Sequence, residues 1–341
     1  MKKFLVLLAA VLSVCFMQGC NSKQLNERMV IQGIGIDYSD SRYSVTVMYM
    51  NTDAANPDVA YKTVAGKGKT VTEAVATIVT KNGMDPLYSH NSFILLGNGL
   101  CKQGVEEAME FFAGFYQCRP SVNVIAADRQ ANKIMTLKGI TPHTISNIVN
   151  SKHTTGRTLA VPVYEFLSDI INDTTTACTG VITVENNVPC SGGIALFKHD
   201  RMYKVLDKEQ SMGVMLVRGD TDIDAEVISL TGKNKSFTLS QEKTEITVKI
   251  SRGVLYCDIS IKGEASVYEY TNQNKEQAKS IEKRLNELAE KAVRVCADSG
   301  ADVFNLGKRL RQSDYSAYRT IDSWAELVKK GVYKVKSRVN I

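Results

Sequence analysis

The C-terminal half of the chain is dominated by two short runs in which apolar and polar residues alternate, followed by one long helical pattern. Apolar residues occupy every second position in 245–251 and again in 254–262, on either side of Arg252-Gly253. This period of two is typical of half-buried strands, and the short glycine turn indicates an antiparallel pair. From the capping sequence Asn274-x-x-Gln277 the apolar period becomes three or four, and the pattern ends at Gly300. It predicts a long amphipathic helix packed on a sheet.

The N-terminal half interleaves strand and helix patterns. Alternation in 30–37 and 43–50 predicts a β-hairpin, and Thr70-x-x-Glu73 is a capping box that starts a helix ending at Asn82-Gly83. The remaining predicted elements here are strands at 93–96 and 121–127 and a helix at 104–115. We therefore expect an α+β, multidomain protein with mixed and antiparallel sheets, packed helices, and the long amphipathic helix in its C-terminal domain.

Composition changes near Ser191, where the chain becomes rich in strand patterns. We expect a C-terminal domain at 191–341 after an N-terminal α/β region at 30–190 that could comprise two subdomains. The C-terminal strands are predicted at 193–197, 212–217, 237–239, 245–251, 254–262 and 332–341.

The N-terminus has the three parts of an export signal. Met1-Lys2-Lys3 precedes an apolar run at 4–17 and then Gly19-Cys20. As a helix this run reaches only about 21 Å, short of the roughly 30 Å of a bilayer core. We expect residues 1–19 to be a cleaved lipoprotein signal peptide, Cys20 to carry S-diacylglycerol and N-palmitoyl groups, and 20–29 to form a lipidated linker.

Two alternatives to this lipid attachment remain open. The Met17-Gln18 pair departs from the usual aliphatic and small residues before a lipidated cysteine, so an unlipidated secreted protein is one alternative. Cys15 is the other candidate acceptor, although Val14 precedes it and a cut there would shorten the apolar run.

Charge and motif content exclude several classes of function. The net charge of +6 falls to +4 without Lys2 and Lys3, and it is spread along the chain, which argues against nucleic-acid binding. A basic stretch at 329–338 could face anionic lipid or an acidic partner, or form a solvated strand face. The sequence has no recognisable catalytic motif or metal-ligand spacing, so we predict no enzyme activity, no cofactor and no metal site.

Six cysteines remain after Cys15 and Cys20 are set aside. We expect buried free thiols, and Cys178 with Cys190 is the pair to test for a disulfide, since a turn signal lies between them. Gly33-x-Gly35 indicates close backbone approach or a bulge rather than a dinucleotide site. Trp324 is predicted to pack in the core.

Several sequence features together resemble the Ger(x)C family of spore-germination lipoproteins. They follow one another in a fixed order along essentially the whole chain. They are the lipid signal, Ile31-Gln-Gly-Ile-Gly-Ile-Asp37, Arg157-Thr-Leu-Ala-Val-Pro162, Gly192-Gly-Ile-Ala-Leu-Phe197, Asp302-Val-Phe-x-Leu-Gly307, and Trp324 before the final strand.

The resemblance implies a function at a membrane. Ger(x)C proteins are the C subunits of nutrient germinant receptors, whose A and B subunits are membrane proteins of the spore inner membrane. The resemblance thus implies a non-catalytic subunit on the outer surface of that membrane, held there by acylated Cys20, that assembles with A and B and relays the nutrient signal. The alternatives are a solute-binding lipoprotein that captures a nutrient directly and an exported hydrolase.

Overall fold

The protein has an α+β fold built on two sheets, as the sequence predicts. The computed structural model describes residues 28–51, 60–114, 118–151, 156–219, 221–230, 233–268 and 275–341. Within these residues one sheet has ten strands and the other has four.

The large sheet combines a parallel centre with antiparallel flanks. Its strands are β1 (Arg28–Ser39), β2 (Arg42–Met50), β3 (Tyr61–Gly68), β4 (Asp85–Leu87), β5 (Phe93–Leu96), β6 (Asn123–Ala127), β7 (Val161–Pro162), β8 (Cys178–Glu185), β9 (Val188–Lys198) and β10 (Arg201–Leu206). The order is β10-β9-β8-β6-β5-β1-β2-β3, with β4 beside β1 and β7 beside β6. The central strands β1, β5, β6 and β8 run parallel. Because these four strands run in the same direction, they all begin at one end of the sheet and all finish at the other. We call the end where they begin the amino edge and the end where they finish the carboxyl edge.

Apolar side chains are buried on both faces of the large sheet. Its helices are α1 (Val71–Asn82), α2 (Asn98–Gln103), α3 (Glu106–Gly114), α4 (Ala131–Met135), α5 (Pro142–Asn150), α6 (Val163–Ile170) and α7 (Lys208–Arg218). In β5, Ile94 and Leu96 belong to one apolar cluster and Phe93 and Leu95 to another. All four are buried, which explains why this strand reads as a continuous apolar run without alternation.

The two glycines of β1 allow neighbouring side chains to pack directly on the backbone. A Cβ atom at Gly33 would strike the Phe93 ring, and one at Gly35 would strike the Met135 sulfur. The pairing of β1 with β2 also shifts register between Ile31 and Gly33. Both observations confirm the predicted close approach and bulge.

The second sheet has the order β11-β12-β13-β14. Its strands are β11 (Ile223–Leu230), β12 (Lys233–Ser251), β13 (Val254–Val267) and β14 (Val332–Asn340). β12 and β13 form the predicted hairpin, and Arg252 and Gly253 have φ values of 51° and 74°, which suit a two-residue turn. The final strand, β14, runs parallel to β13.

The predicted long helix lies between these strands in sequence and packs on their sheet. It is α8 (Lys275–Ser299), and it is followed by α9 (Leu306–Ser313), α10 (Tyr315–Tyr318) and α11 (Trp324–Lys329). Ile281 and Leu285 on its apolar face are fully buried. Asn286 Oδ1 accepts a hydrogen bond from the Ser337 N–H at 2.8 Å, so the helix also satisfies a backbone donor of the edge strand β14.

The structure corrects one predicted strand. Residues 212–217 lie in the C-terminal half of helix α7, which begins after a reciprocal capping box of Asp207 and Gln210. Every residue from 211 to 217 is buried. The segment therefore lacks the polar residues that recur every three or four positions in an amphipathic helix, and its sequence does not show a helical pattern. Gly213 allows α7 and α8 to approach closely, because a Cβ there would strike the Leu288 carbonyl.

The large sheet continues through the predicted boundary at 190/191. That position lies inside β9, which pairs with β8 from Val188 opposite Glu185 to Leu196 opposite Cys178. Strand β10 extends the same sheet to Leu206. The division into domains at 191 stays a prediction.

Candidate functional site

The predicted lipid-attachment residue, Cys20, lies outside the described residues, which begin at Arg28. Arg28 opens β1 opposite Asp85 of β4, at the amino edge of the large sheet. Eight residue steps separate Cys20 from Arg28, and a fully extended chain of that length spans at most about 28 Å. A lipid at Cys20 would therefore keep the amino edge close to the membrane.

Asp302 is a buried carboxylate on the same side of the molecule. Its Oδ1 accepts hydrogen bonds from the N–H groups of Phe304 at 3.2 Å and Leu306 at 2.9 Å. Its Oδ2 accepts from the Gly307 N–H at 2.8 Å and from Trp324 Nε1 at 3.1 Å. Burial raises the pKa of Asp302, and these donors lower it only in part. Each oxygen accepts two hydrogen bonds, so this group organises the fold and has no acceptor position left for a ligand.

Backbone contacts of Asp302 join the second sheet to the first. Its N–H donates to Thr176 Oγ1 at 2.9 Å, and its carbonyl accepts from the Thr176 N–H at 2.9 Å. Thr176 leads directly into β8, which starts at Cys178. Trp324 packs in the core with only 6% of its surface exposed, as predicted. Its indole N–H also donates to Asp302. We call the contact between the two sheets that Thr176, Asp302 and Trp324 form the joint.

A cluster of charged groups adjoins this joint. Desolvation and the nearby Glu165 carboxylate raise the pKa of Asp169 to about 6. Arg218 Nη2 lies 3.5 Å from Glu165 Oε1, and Arg218 Nη1 donates to the Val303 carbonyl at 2.8 Å. The cluster ties α6 and α7 to the segment that carries Asp302.

The carboxyl edge holds a cavity of about 660 Å³. Open parallel sheets usually bind ligands outside the carboxyl ends of their strands, so this position suits a small molecule. The charged and hydroxyl side chains of its wall are Asp128, Arg157, Thr183, Glu185, Ser191 and Lys208.

The central carboxylate of the cavity already has protein partners. Arg129 donates to both oxygens of Asp128, at 2.8 and 3.0 Å. Thr183 Oγ1 donates to Asp128 Oδ2 at 2.6 Å. Hydrogen bonding and the Arg129 charge lower the pKa of Asp128 against the opposing effect of burial. Asp128 is therefore a structural anion that a ligand would have to share.

A second buried carboxylate also stabilises the carboxyl edge. Asp37 at the end of β1 accepts hydrogen bonds from the Ala131 N–H at 2.7 Å and the Asn132 N–H at 2.9 Å, at the start of α4. A Cβ atom at Gly97 would strike Asp37 Oδ1. Glycine is therefore required where β5 ends.

The six cysteines are free in the structure. Cys178 lies opposite Leu196 and Cys190 opposite Thr183 in the β8–β9 ladder, so their separation along the strands rules out the disulfide that the sequence suggested testing. Burial raises the pKa of Cys101 and of Cys257 to about 12 and that of Cys178 to about 11. These thiols are poor nucleophiles near neutral pH.

In the described part of the chain, no helix is both long and apolar enough to span a membrane. The same residues contain no cluster of three or more side chains suited to hold a metal ion. The structure thus presents two contrasting features: a buried joint at the amino edge and an open cavity at the carboxyl edge.

Sequence comparison places this architecture among spore germination proteins. A family described as "Spore germination protein N-terminal domain" matches residues 21–184, and one described as "Spore germination B3/ GerAC like, C-terminal" matches residues 192–341. The chain belongs to this GerAC-like family, the Ger(x)C group that its sequence resembles. This is a family of germinant receptor subunits and not a known enzyme family.

A solved structure supports the fold. The chain is similar to the protein in "Crystal Structure of the GerBC protein", with a TM-score of 0.57 and 19% identity, over 94% of this chain and 99% of that one. At this level of identity the likeness concerns the fold. Among curated proteins, none matches the sequence significantly.

The sequence contains the Asp302 motif but does not reveal that Asp302 is a buried acceptor of four hydrogen bonds. The motif was noticed as a run of residues in order, whereas the hydrogen bond from Trp324 joins positions 22 residues apart. The capping pair Asp207 and Gln210 was the available signal for helix α7, since it precedes the apolar run by the spacing of a capping box.

Proposed function

We propose that this protein is the lipid-anchored, non-catalytic C subunit of a spore nutrient germinant receptor. In this proposal acylated Cys20 holds the body on the outer surface of the spore inner membrane. The body assembles there with the A and B membrane subunits and helps relay the nutrient signal that starts germination.

The family match is the observation that carries this proposal. The two family domains account for residues 21–184 and 192–341, and the first begins one residue after Cys20. The sequence before that point has the charge, length and small residue of a lipoprotein signal. Two acyl chains give stable membrane attachment, whereas one chain alone gives only marginal binding.

Tethering would make modest protein contacts sufficient for assembly. A linker of about 28 Å at most confines the body to a thin layer above the bilayer. Binding to a membrane subunit in that layer is nearly intramolecular, so effective concentrations can reach the millimolar range. This argument favours a subunit that works by docking and needs no bound substrate.

Membrane fractionation of spores that carry Cys20→Ala tests the anchor. We expect the native chain in the inner-membrane fraction, and we expect the variant to lose both that location and the incorporation of labelled palmitate. Cys15→Ala is the matched control, because it alters the signal peptide at a cysteine that cleavage removes. The proposal is contradicted if Cys20→Ala stays membrane-bound and acylated.

Nutrient response tests the receptor role separately. Deleting the gene for this chain should abolish germination in response to the nutrient of its receptor, measured as dipicolinic acid release. Full response in the deletion strain would contradict a required role in assembly or relay.

The cavity at the carboxyl edge favours one second candidate, a lipoprotein that captures the nutrient directly. Its roughly 660 Å³ would accommodate an amino acid or a sugar. Against this candidate, Asp128 is already bound by Arg129 and Thr183. The cavity also lies at one sheet edge, whereas capture proteins usually close two lobes around a cleft.

Calorimetric titration of the chain with amino acids and sugars separates the two candidates. A docking subunit should give no saturable heat, whereas a capture protein should bind one nutrient directly. Thr183→Val is the variant to compare, because it removes one hydrogen bond to Asp128 at little change in volume. Saturable binding that this substitution weakens would favour capture.

A further inference from the structure

Three of the most exposed large apolar side chains lie at the amino edge. Ile171 is 74% exposed, Tyr164 is 60% exposed and Tyr315 is 59% exposed. Single exposed apolar residues are common on protein surfaces, so exposure alone carries no argument. Their shared position relative to the N-terminal tether is the informative observation.

Backbone contacts place Tyr164 at the start of the parallel strands. Its N–H donates to the Pro120 carbonyl at 3.2 Å, three residues before β6 begins. Ile171 follows seven residues later and caps the C-terminal end of α6 with a helical backbone conformation, so two helical turns bring its side chain to the same side as Tyr164. The opposite face of this helix is buried, with the Phe166 ring 5.1 Å from the Phe197 ring.

Tyr315 joins the same surface through the segment after α6. Its ring stacks on Tyr318 with 6.4 Å between the centroids. Tyr318 Oη lies 3.4 Å from Thr174 Oγ1, three residues beyond Ile171. We call Tyr164, Ile171 and Tyr315 the amino-edge patch.

Charged side chains of both signs lie beside this patch. Arg311 and Arg319 are exposed and lie four residues before and after Tyr315. Two further cations, Lys308 and Arg119, are exposed, as are the carboxylates of Asp173 and Asp314, and the Glu165 side chain beside Tyr164 is 38% exposed. Tyrosine and isoleucine with flanking arginines are the side chains that enter the boundary between lipid headgroups and acyl chains.

The geometry of the tether favours a bilayer as the partner of the patch. A body of this length has a radius of gyration of about 20 Å and is about 50 Å across. The linker from Cys20 to Arg28 reaches at most about 28 Å, and Arg28 lies at the amino edge. The amino edge therefore faces the membrane more readily than the carboxyl edge does.

We propose that the amino-edge patch rests on the bilayer, with its aromatic and aliphatic side chains at the headgroup boundary and the arginines on anionic headgroups. This inference rests on the proposed anchor at Cys20 and adds an orientation. The joint around Asp302 then lies near the membrane, and the carboxyl-edge cavity points away from it.

A pair of nitroxide labels tests the orientation. One label is placed at Ile171→Cys and the matched control label at Val188→Cys, which is 62% exposed beside the β8–β9 turn at the carboxyl edge. The half-buried Cys118 and Cys190 are first replaced by serine. Tyr315→Cys provides a second patch position if the label at 171 disturbs folding.

The labelled mature chain carries an N-terminal hexahistidine in place of Cys20 and its lipid, and it is held on phosphatidylcholine–phosphatidylglycerol vesicles by a nickel-chelating lipid. This anchor separates the test from acylation: failure of Cys20 lipidation would appear in the fractionation experiment and leave this one unaffected. The measured quantity is the accessibility of each nitroxide to oxygen relative to aqueous chromium oxalate.

We expect this ratio to be severalfold higher at 171 and 315 than at 188. Equal accessibility to chromium oxalate at all three positions would overturn the proposal, as would spin–spin broadening at 171 that shows a second copy on the patch. Arg319→Gln should also weaken vesicle binding of the unanchored Cys20→Ala chain about fivefold, or about 1 kcal/mol, whereas Lys133→Gln, on α4 at the carboxyl edge, should not. An equal loss in both variants would contradict a specific contact.

Discussion

The two edges of the parallel strands differ in what they bury and what they expose. At the amino edge Asp302 is 1% exposed and bound by four donors, while Ile171 and Tyr164 project into solvent. At the carboxyl edge a cavity is open, and the Asp128 carboxylate accepts hydrogen bonds from Arg129 and Thr183. The difference teaches that the amino edge is densely hydrogen-bonded inside and exposes large apolar side chains, whereas the carboxyl edge is open and polar groups of its wall bind one another.

The largest predicted difference between the edges concerns their carboxylates. Asp302→Ala leaves three buried backbone N–H groups and one indole N–H without an acceptor, so we expect a loss of about 3–5 kcal/mol in unfolding free energy. Asp128→Ala removes a carboxylate whose partner Arg129 is 42% exposed, and it should cost about 1 kcal/mol or less. Urea unfolding measures both values. Equal losses would show that Asp302 contributes no more to the unfolding free energy than Asp128 does.

A smaller effect tests how the carboxyl edge is held together. Gly97→Ala forces a methyl group against the Asp37 carboxylate and should lower the unfolding free energy by about 1–3 kcal/mol. Gly114→Ala, at the end of α3, meets no atom within 4 Å and serves as the control. There we expect no loss, or a gain of up to about 1 kcal/mol from helix propensity. If Gly97→Ala leaves the unfolding free energy unchanged, the carboxyl edge can rearrange to accept the methyl group.

The smallest effect is a pH dependence at the amino edge. The folded state raises the pKa of Asp169 from 3.8 to about 6, so folding is favoured by the protonated form and loses stability as pH rises from about 4 to 6. Asp169→Asn should therefore stabilise the protein by about 1 kcal/mol at pH 7 and have little effect at pH 4.

Thermal unfolding of Asp169→Asn at the two pH values measures this difference. Asp173→Asn on the exposed segment nearby controls for the loss of one negative charge. If Asp169→Asn destabilises the protein at pH 7, its attraction to Arg218 outweighs desolvation and the repulsion by Glu165.

Local sequence patterns predicted most of the fold because each pattern is set by neighbouring residues. The hairpin of β12 and β13 followed from alternation around Arg252-Gly253, and α8 followed from its apolar period. The strand predicted at 212–217 was wrong, because complete burial removes the polar face that distinguishes a helix from a strand in the sequence.

The sites were less accessible to sequence reasoning because they depend on distant contacts. Asp302 reaches Trp324 and Thr176, and Asp37 reaches Ala131 across 94 positions. The amino-edge patch is formed by α6, by Ile171 directly after it, and by α10, which is far away in the sequence. Only Cys20 could be proposed directly, because a signal peptide is a local pattern.

The most direct test of the proposed receptor role is cross-linking mass spectrometry on spore inner membranes. The native chain is compared with Cys20→Ala, and Cys15→Ala is the control. We predict that the native chain and the control cross-link to two polytopic membrane subunits and that Cys20→Ala loses these cross-links. A native chain that lies free of the membrane, or that cross-links to a transporter, would contradict the proposal.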